Sequence, residues 1–284
     1  METCTELSMD TKMKASMEAH KLFILFLFQQ PCLYLISEKS PHFSSSGVSV
    51  NSVASLQKRI IGGHDCDDKE RLYHVRLVML RGPVMDFCGG SLMHSEGILT
   101  AAHCWKSEAG WYHTAMSKVH PRTAKQDNQL IEHPPVTYTT GNDHDIMLLK
   151  LQRPVTDVPP VQLPNCNNRL KKGDTVQLAG EGGKRTGPNN ERLTPTPISS
   201  QLKCVDMKVA AGMPPSVQLS GHIFGTEAPN KDICFGDSGS GVIFNNMIYG
   251  VISVGDVQQA CLNPVGVMDV CEYLDWIKQT TGLK

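Results

Sequence analysis

Residues 234–239 read CFGDSG, a glycine-flanked turn that presents a single serine hydroxyl, that of Ser238. A serine hydroxyl is a poor nucleophile at neutral pH, so it needs a base to accept its proton, and the base needs a carboxylate to fix its tautomer. The glycine at position 236 lets the backbone N–H turn toward a substrate without a side chain in the way. Taken alone, this motif is typical of an ordinary turn.

Two upstream motifs offer the missing partners. Residues 100–104 read TAAHC and supply the imidazole of His103, while residues 143–149 read DHDIMLL and supply the carboxylate of Asp145 at the head of an apolar strand. His144 is the neighbouring alternative, but adjacent side chains of a strand point to opposite faces. We therefore expect His103 to act as general base and Asp145 to orient it.

The order His103, Asp145, Ser238 in these local contexts resembles the trypsin/chymotrypsin family of serine proteases, trypsins and kallikreins included, from about residue 60 to the C-terminus. The resemblance implies two six-stranded antiparallel β-barrels, with the active site in the cleft between them. His103 and Asp145 would come from the first barrel and Ser238 from the second. The N–H groups of Gly236 and Ser238 would form the oxyanion hole.

The residue pattern independently favours an all-β fold, because short apolar runs recur between turn residues. We predict strands over Tyr73–Leu80, Gly97–Ala102, Ile146–Leu151, Thr175–Ala179, Val242–Phe244 and Ile248–Val254. Helical spacing of apolar residues predicts one C-terminal helix over Val270–Thr280. Residues 181–197 are rich in Gly, Pro, Asn and charge, which predicts a mobile surface loop.

Ten cysteines are many for a cytosolic protein and common in secreted ones. Eight of them fall between residues 66 and 271, and their number alone leaves 105 pairings open. A zinc site is the alternative, but no Cys-x-x-Cys pair occurs. The resemblance implies four disulfides: Cys66–Cys204, Cys88–Cys104, Cys166–Cys271 and Cys234–Cys261.

The chain divides into three predicted segments. Residues 1–36 contain the apolar run Leu22–Phe28, too short to span a membrane, and are interpreted as a signal segment, with Met17 as an alternative start and an uncleaved anchor as the alternative role. Residues 37–59 are serine-rich and are interpreted as a pro-segment. Residues 60–284 form the predicted protease domain.

The junction between pro-segment and domain reads LQKR followed by IIGG, an accessible nicking site after Arg59. The resemblance implies that cleavage frees the α-amine of Ile60, which then folds inward onto Asp237. An α-amine with a pKa near 8 is cationic at neutral pH and can partner a buried carboxylate. An ordinary exposed dibasic loop is the alternative.

Substrate specificity is assigned through the resemblance to four positions: Asp232, Ser253, Gly255 and Val265. Asp232 would lie at the base of the primary pocket and pair with a substrate Arg or Lys. The family has glycine where this chain has Val265, so a valine could block a long basic side chain unless Gly266 takes its place. Ile233 replaces a small hydroxyl residue, and Ser240 adds a side chain where the family has glycine.

These observations predict a secreted serine endopeptidase made as a zymogen, cutting after Arg or Lys through an acyl-enzyme. A silent homologue that binds proteins is the alternative, whereas an esterase of the α/β-hydrolase type has the wrong chain order. The partners would be protein or peptide substrates, an activating protease and protein inhibitors. The net charge of −1 gives no reason to expect nucleic acid. We expect a monomer without metal or cofactor.

Overall fold

The computed structural model describes residues 60–141, 144–183, 199–213, 221–255, 261 and 264–283. The predicted signal segment (1–36) and pro-segment (37–59) lie outside these residues. So does residue 284. Within the described part of the chain, no helix has the length and apolar character needed to cross a bilayer.

The described residues form fourteen strands and one α-helix. The strands, in chain order, are β1 (His64–Asp65), β2 (His74–Arg81), β3 (Val84–His94), β4 (Gly97–Thr100), β5 (Tyr112–Ser117), β6 (Asp127–Leu130), β7 (Val136–Thr137), β8 (Met147–Lys150), β9 (Thr175–Gly180), β10 (Lys203–Val209), β11 (Ile223–Glu227), β12 (Gly241–Phe244), β13 (Met247–Val254) and β14 (Val265–Asp269). The helix α1 spans Leu274–Thr281, directly after a 3₁₀ turn at Val270–Tyr273.

The first sheet has the order β6-β5-β2-β3-β4-β8-β7, and all its ladders are antiparallel. Its interior contains apolar side chains that are almost wholly buried, such as Val75, Leu92, Ile98 and Leu149. The strands β4 and β8 matter most for function, because β4 leads into the His103 turn and β8 follows Asp145 directly.

The second sheet closes on itself. β9 pairs with both β10 and β12, so the six strands β9, β10, β11, β14, β13 and β12 form a ring, and β1 adds to β10. The strand β10 shows why its residues fit a barrel wall: Val205, Met207 and Val209 are buried, whereas Asp206 and Lys208 alternate with them on the exposed side.

The predicted all-β fold of two barrels with a C-terminal helix is confirmed. Each sheet holds seven strands instead of six, because the two-residue strands β1 and β7 attach to sheet edges. The helix packs through Ile277, which is fully buried four residues after the buried Tyr273. It ends at Gly282, whose left-handed φ of 74° allows its N–H to reach the carbonyl of Lys278.

Three of the four predicted disulfides are present: Cys66–Cys204, Cys88–Cys104 and Cys166–Cys271. The fourth predicted pair, Cys234 with Cys261, is not among the S–S bonds that the described residues form, and it stays a prediction. The observed bonds tie distant segments together, since the first spans 138 residues and the third 105.

One expectation for the surface is wrong at its first three residues. The predicted mobile loop at 181–197 begins inside the protein, because Glu181, Gly182 and Gly183 are all buried. Glu181 is kept there by hydrogen bonds from Arg76 and Arg122. Residues 184–197 lie outside the described part of the chain.

Candidate active site

His103 and Asp145 are brought together at the edge of the first sheet. His103 Nδ1 lies 2.9 Å from Oδ2 and 3.1 Å from Oδ1 of Asp145, and the His103 backbone N–H donates to Oδ1 at 2.8 Å. An ionised carboxylate only accepts hydrogen bonds, so Nδ1 carries the proton and Nε2 keeps its lone pair. This is the tautomer that a general base requires. The His103 side chain is 46% exposed, and within the described residues Nε2 makes no hydrogen bond.

The local chain holds His103 from both sides. It lies in a 3₁₀ turn at Ala102–Cys104 that follows β4, and Cys104 is bonded to Cys88 of β3. The two sulfur atoms lie close to the His103 ring, but a disulfide has no thiolate to offer a metal ion. The cluster therefore fits an imidazole fixed for proton transfer and does not fit a metal site.

Ser253, at the end of β13, has a role that sequence reasoning missed. Its hydroxyl donates to Oδ2 of Asp145, the oxygen nearest to His103 Nδ1. Sequence reasoning assigned Ser253 only to backbone contact with substrate. Its hydroxyl instead reaches from the second barrel to the acid of the first, so the Asp145 carboxylate is oriented from both barrels.

The turn that carries Ser238 depends on two glycines. Gly236 and Gly239 have φ of 99° and 81°, in the left-handed region that favours glycine. A Cβ at position 236 would lie 3.3 Å from Gly182 Cα, and one at 239 would lie 2.2 Å from Thr100 Oγ1. Glycine is therefore required by backbone conformation and, at 239, by space.

The backbone around Ser238 leaves two donors available. Among the described residues, the N–H groups of Gly236 and Ser238 donate to no protein acceptor, as an oxyanion hole requires. The Ser238 carbonyl accepts from Gly89 of the first barrel at 2.7 Å. Within the same residues, no hydrogen bond joins the Ser238 hydroxyl to the His103 ring. Such contacts are often long before substrate binds.

Asp237 is fully buried directly before Ser238. Its Oδ1 accepts from the N–H of Gly182 and its Oδ2 from the N–H of Cys234, both at 2.7 Å. Segment 180–183 presses against it so closely that a Cβ at Gly180 would lie 2.0 Å from Oδ1. The conformation of the serine turn is therefore linked to that of this segment.

Asp232 is 2% exposed, and backbone N–H groups of the second barrel contact its carboxylate. Oδ1 accepts from Ile233 at 2.7 Å and Oδ2 from Cys261 at 2.8 Å. Its own N–H donates to the carbonyl of Ile61 at 3.1 Å. The acid predicted to face a basic substrate is thus buried beside the first residues of the predicted protease domain.

The other predicted pocket residues lie in the same region. Val265 is 1% exposed and belongs to the apolar cluster that also holds Ile60 and Ile233. Gly266 pairs with Gly225 of β11 and Val254 of β13. Gly255 follows β13 and is partly exposed.

The departure from the family at Ser240 is accommodated by a glycine. Ser240 is fully buried, and a Cβ at Gly89 would lie only 1.9 Å from its Oγ. The extra side chain therefore occupies the space left by the missing one on β3. No partner for this hydroxyl is found among the described residues.

His144, the alternative to its neighbour Asp145, turns elsewhere. Its Nδ1 lies 3.0 Å from the hydroxyl of Tyr273, and its ring lies against Tyr138 with centroids 5.0 Å apart. Burial, followed by the charge of His222, lowers the pKa of His144 below its usual value. Among the described residues, no hydrogen bond or ring contact joins His144 to His103 or Ser238, so it takes no part in the arrangement around Asp145.

A buried charge cluster is the second feature that sequence reasoning missed. The Glu181 carboxylate, 3% exposed, accepts from Arg76 through both of its oxygens and from Arg122. Burial lowers the pKa of the neighbouring His74 to about 4, against an opposing effect of Glu181. No sequence motif marks these residues, since they meet only when the two barrels pack.

Two antiparallel barrels with an oriented imidazole and a serine turn define the class of chymotrypsin-fold serine hydrolases. The family model described as Trypsin matches residues 60–277. Trypsin II-P29 of Gallus gallus is 31% identical over 234 residues, which are 78% of this chain and 89% of that protein. Kallikrein-5 of Homo sapiens is 30% identical, with 78% and 76% covered.

A solved structure, neuropsin, a serine protease expressed in the limbic system of mouse brain, superimposes with a TM-score of 0.64. It is 24% identical, covers 78% of this chain and 100% of its own, and so speaks for the fold. Together with the family model, the relatives show that the chain belongs to the trypsin family and is a serine endopeptidase.

Proposed function

We propose that the chain is a secreted zymogen that, once cut after Arg59, hydrolyses peptide bonds through an acyl-enzyme on Ser238, after Arg or Lys. The observation that carries this proposal is the Asp145–His103 contact, in which Nδ1 of a half-exposed imidazole lies 2.9 Å from the carboxylate. Family membership supplies the reaction class, and the residues supply the roles.

The chemistry follows the proton. Nε2 of His103 takes the proton of the Ser238 hydroxyl as its oxygen bonds to the scissile carbonyl carbon, and the resulting oxyanion is bound by the N–H groups of Gly236 and Ser238. The C–N bond then breaks, and His103 gives its proton to the leaving amine. In the second half of the reaction, His103 takes a proton from water as the water oxygen bonds to the acyl carbon. It then gives that proton to the Ser238 oxygen as the acyl C–O bond breaks, which restores Ser238.

Asp145 and Ser253 support the base without taking its proton. As the imidazole becomes cationic, the Asp145 carboxylate stabilises it at 2.9 Å, and the hydrogen bond from Ser253 holds that carboxylate in place. Orientation from the second barrel keeps the acid aligned while the first barrel carries the base.

Activation is supported by the burial of the segment that follows the predicted cut. Ile60 is 1% exposed within the cluster that contains Ile233, and the Ile61 carbonyl accepts from Asp232. Cleavage after Arg59, which lies outside the described residues, would create a cationic α-amine on Ile60 in this region. Asp237, buried beside the serine turn, is the acid that such an amine would pair with.

We assign specificity for Arg or Lys to Asp232, Ser253, Gly255 and Val265, with Gly266 as the alternative to Val265. A carboxylate at the base of a closed pocket selects a cationic side chain, because burying that cation unpaired would be costly. Val265 lies in the same buried apolar cluster as Ile233, so a long basic side chain would fit only if Gly266, its neighbour on β14, lined the pocket instead. Secretion is supported by the three disulfides, which persist in oxidising compartments.

The partners follow from the reaction. Protein or peptide substrates are what trypsin-family enzymes act on; beyond these we propose an activating protease that cuts after Arg59 and protein inhibitors that occupy the cleft. The enzyme would act as a monomer, since both halves of the proposed site lie in one chain.

The proposal is tested with the full-length chain cut after Arg59 and offered a fluorophosphonate probe. We expect mass spectrometry to find the label on Ser238, and the S238A variant and the uncut chain to stay unlabelled. An unlabelled, folded, cut sample would overturn the catalytic assignment and favour a silent homologue.

Specificity is tested separately with a peptide library. We expect cleavage after Arg and Lys, lost in D232S. Cleavage after small or apolar residues would mean that Val265 and Ile233 close the pocket, and would overturn the assignment of Asp232 while leaving the Ser238 assignment intact.

A further inference from the structure

We propose that Arg76, Glu181 and Arg122 form an inter-barrel charge cluster that positions the oxyanion turn, by fixing segment 180–183 against Asp237. This inference deepens the proposed function and rests on it. The three residues would be positioning residues, because none of them contacts the reacting atoms.

The cluster joins the two barrels. Arg76 lies on β2 and Arg122 follows β5, both in the first barrel, whereas Glu181 directly follows β9 of the second. Arg76 donates from Nε to Oε2 at 2.7 Å and from Nη2 to Oε1 at 2.6 Å, and Arg122 Nη2 donates to Oε1 at 2.9 Å. Two cations on one buried carboxylate satisfy it fully and fix its position.

The cluster also contacts a second stretch of backbone, at residues 199–200, that lies beside Glu181. Arg122 donates to the carbonyls of Ser199 and Ser200, and the N–H of Ser199 donates to the Glu181 carbonyl at 2.8 Å. Arg122 therefore holds both the Glu181 side chain and the neighbouring backbone at Ser199, which is itself hydrogen-bonded to Glu181.

Segment 180–183 is hydrogen-bonded to the serine turn, so a change in its position would affect that turn. The Gly182 N–H donates to Asp237 Oδ1 at 2.7 Å, and the Gly183 N–H donates to the Phe235 carbonyl at 3.0 Å. Gly236 lies between these two contact points and supplies one of the oxyanion N–H groups. A shift of Glu181 would move both donors and so misalign the Gly236 N–H.

The close packing of segment 180–183 against Asp237 requires glycine on both sides of Glu181. Glycine is required at 180 and 182, where a Cβ would lie 2.0 Å from Oδ1 and 2.7 Å from Cγ of Asp237. Between them, Glu181 points away into the arginine pair. One residue is thus anchored in the first barrel while its two neighbours shape the turn of the second.

The test compares the cut enzyme with the variants E181Q and R122Q. We expect kcat/KM to fall roughly 10-fold in E181Q, the size of one charge-assisted hydrogen bond, with kcat carrying the loss and KM little changed. R122Q should lose less, because the Arg122 side chain is 26% exposed. Residues of one cluster couple, so the double variant should lose less than the product of the single losses.

The matched control is R169Q. Arg169 makes the same kind of contacts with Asp269 and Glu272, at 2.7 and 2.6 Å, near the C-terminal helix. It contacts neither segment 180–183 nor Asp237, so its removal should leave kcat/KM unchanged. An equal loss in R169Q and R122Q would overturn the inference, because any lost ion pair would then do the same.

Hydrogen exchange supplies a readout that does not need activity. In both cluster variants the amides of Gly182 and Cys234, which donate to Asp237, should exchange faster than in the wild type, whereas those of β2 should not. Exchange that is unchanged or raised everywhere would overturn the inference. If E181Q does not fold, R122Q carries the test.

The two levels of proposal fail in different ways. A cut wild type that is not labelled at Ser238 contradicts the proposed function, whatever the exchange data show. A labelled wild type whose variants keep full kcat and normal exchange contradicts only the positioning role.

Discussion

Asp145 and Asp237 are two carboxylates of one site, and the two barrels hold them in opposite ways. Asp145, with a side chain that is 19% exposed, contacts an imidazole, a hydroxyl and a single backbone N–H. Asp237 is fully buried, and each of its carboxylate oxygens accepts a hydrogen bond from a backbone N–H group. Side-chain partners suit a group that responds to a moving proton, whereas backbone partners fix the shape of a loop.

Two carboxylates of one site therefore have different roles: Asp145 supports the base, and Asp237 supports the turn that carries Ser238. A change at Asp145 should leave the fold intact and disable the base. A change at Asp237 should leave the base intact and disturb the turn that presents Ser238. Kinetics and structural probes should therefore separate the two.

The largest effect is expected for D145N. An amide at this position forces the wrong tautomer on His103, so kcat should fall about 10⁴-fold while KM stays near the wild-type value. The measurement is steady-state kinetics on the cut enzyme, with thermal unfolding as control. A loss under tenfold would mean that Asp145 does not set the tautomer.

The next effect is expected for D237N, which changes the other of the two carboxylates and leaves Asp145 in place. Losing the buried charge should loosen the turn and cost on the order of 10²–10³-fold in kcat, as for the loss of one oxyanion donor. The His103 ring proton, followed by NMR, should keep its bond to Asp145. A D237N protein with normal kcat would show that the turn does not depend on this acid.

A smaller effect is expected for S253A, which removes the side-chain hydroxyl that donates to Asp145. Removing one hydrogen bond to a carboxylate costs about 1.5–3 kcal/mol, so kcat should drop by roughly 10- to 150-fold. The S253T variant, which keeps the hydroxyl, is the matched control. Equal losses in both variants would point to packing, and the hydrogen bond would then have no separate role.

The last effect concerns stability and leaves activity aside, and it comes from His74 beside the buried Glu181. The His74 pKa is lowered from 6.5 to about 4, first by burial, while Glu181 raises it and Arg76, His120 and Arg71 lower it further. The unfolded chain binds the proton more readily, so stability should fall as the pH drops from 6.5 toward 4, by on the order of 3 kcal/mol.

Urea unfolding across that pH range checks this expectation, with H74Q as comparison. The glutamine variant should show a shallower fall because the titrating group is gone. Parallel curves for both proteins would contradict the assignment of this pH dependence to His74.

Much of the fold was predictable because its signals are local. Alternation of apolar residues locates strands such as β9 and β13 within a residue of their observed ends, and helical spacing locates the helix that buries Ile277. The cysteine pairings came instead through resemblance, because pairing depends on the whole topology. Spacing alone left them open.

The missing parts of the site depend on contacts between the barrels. The sequence around Glu181 has the composition of a surface loop, and nothing local indicates that Arg76, over a hundred residues earlier, would bury it. Ser253 was predicted to lie in the site, but its bond to Asp145 requires knowing how the barrels meet. Tertiary packing, which no short window of sequence contains, decided both.

The hydrogen bond from Gly89 to the Ser238 carbonyl, together with the tight fit of Gly239 against Thr100, has a practical consequence. The loop that carries Ser238 is held in its conformation by contacts with residues of the first barrel. Two fragments divided between the barrels should each be inert, and their reassembly should restore labelling of the serine. That behaviour would make the protein usable as a split reporter of association.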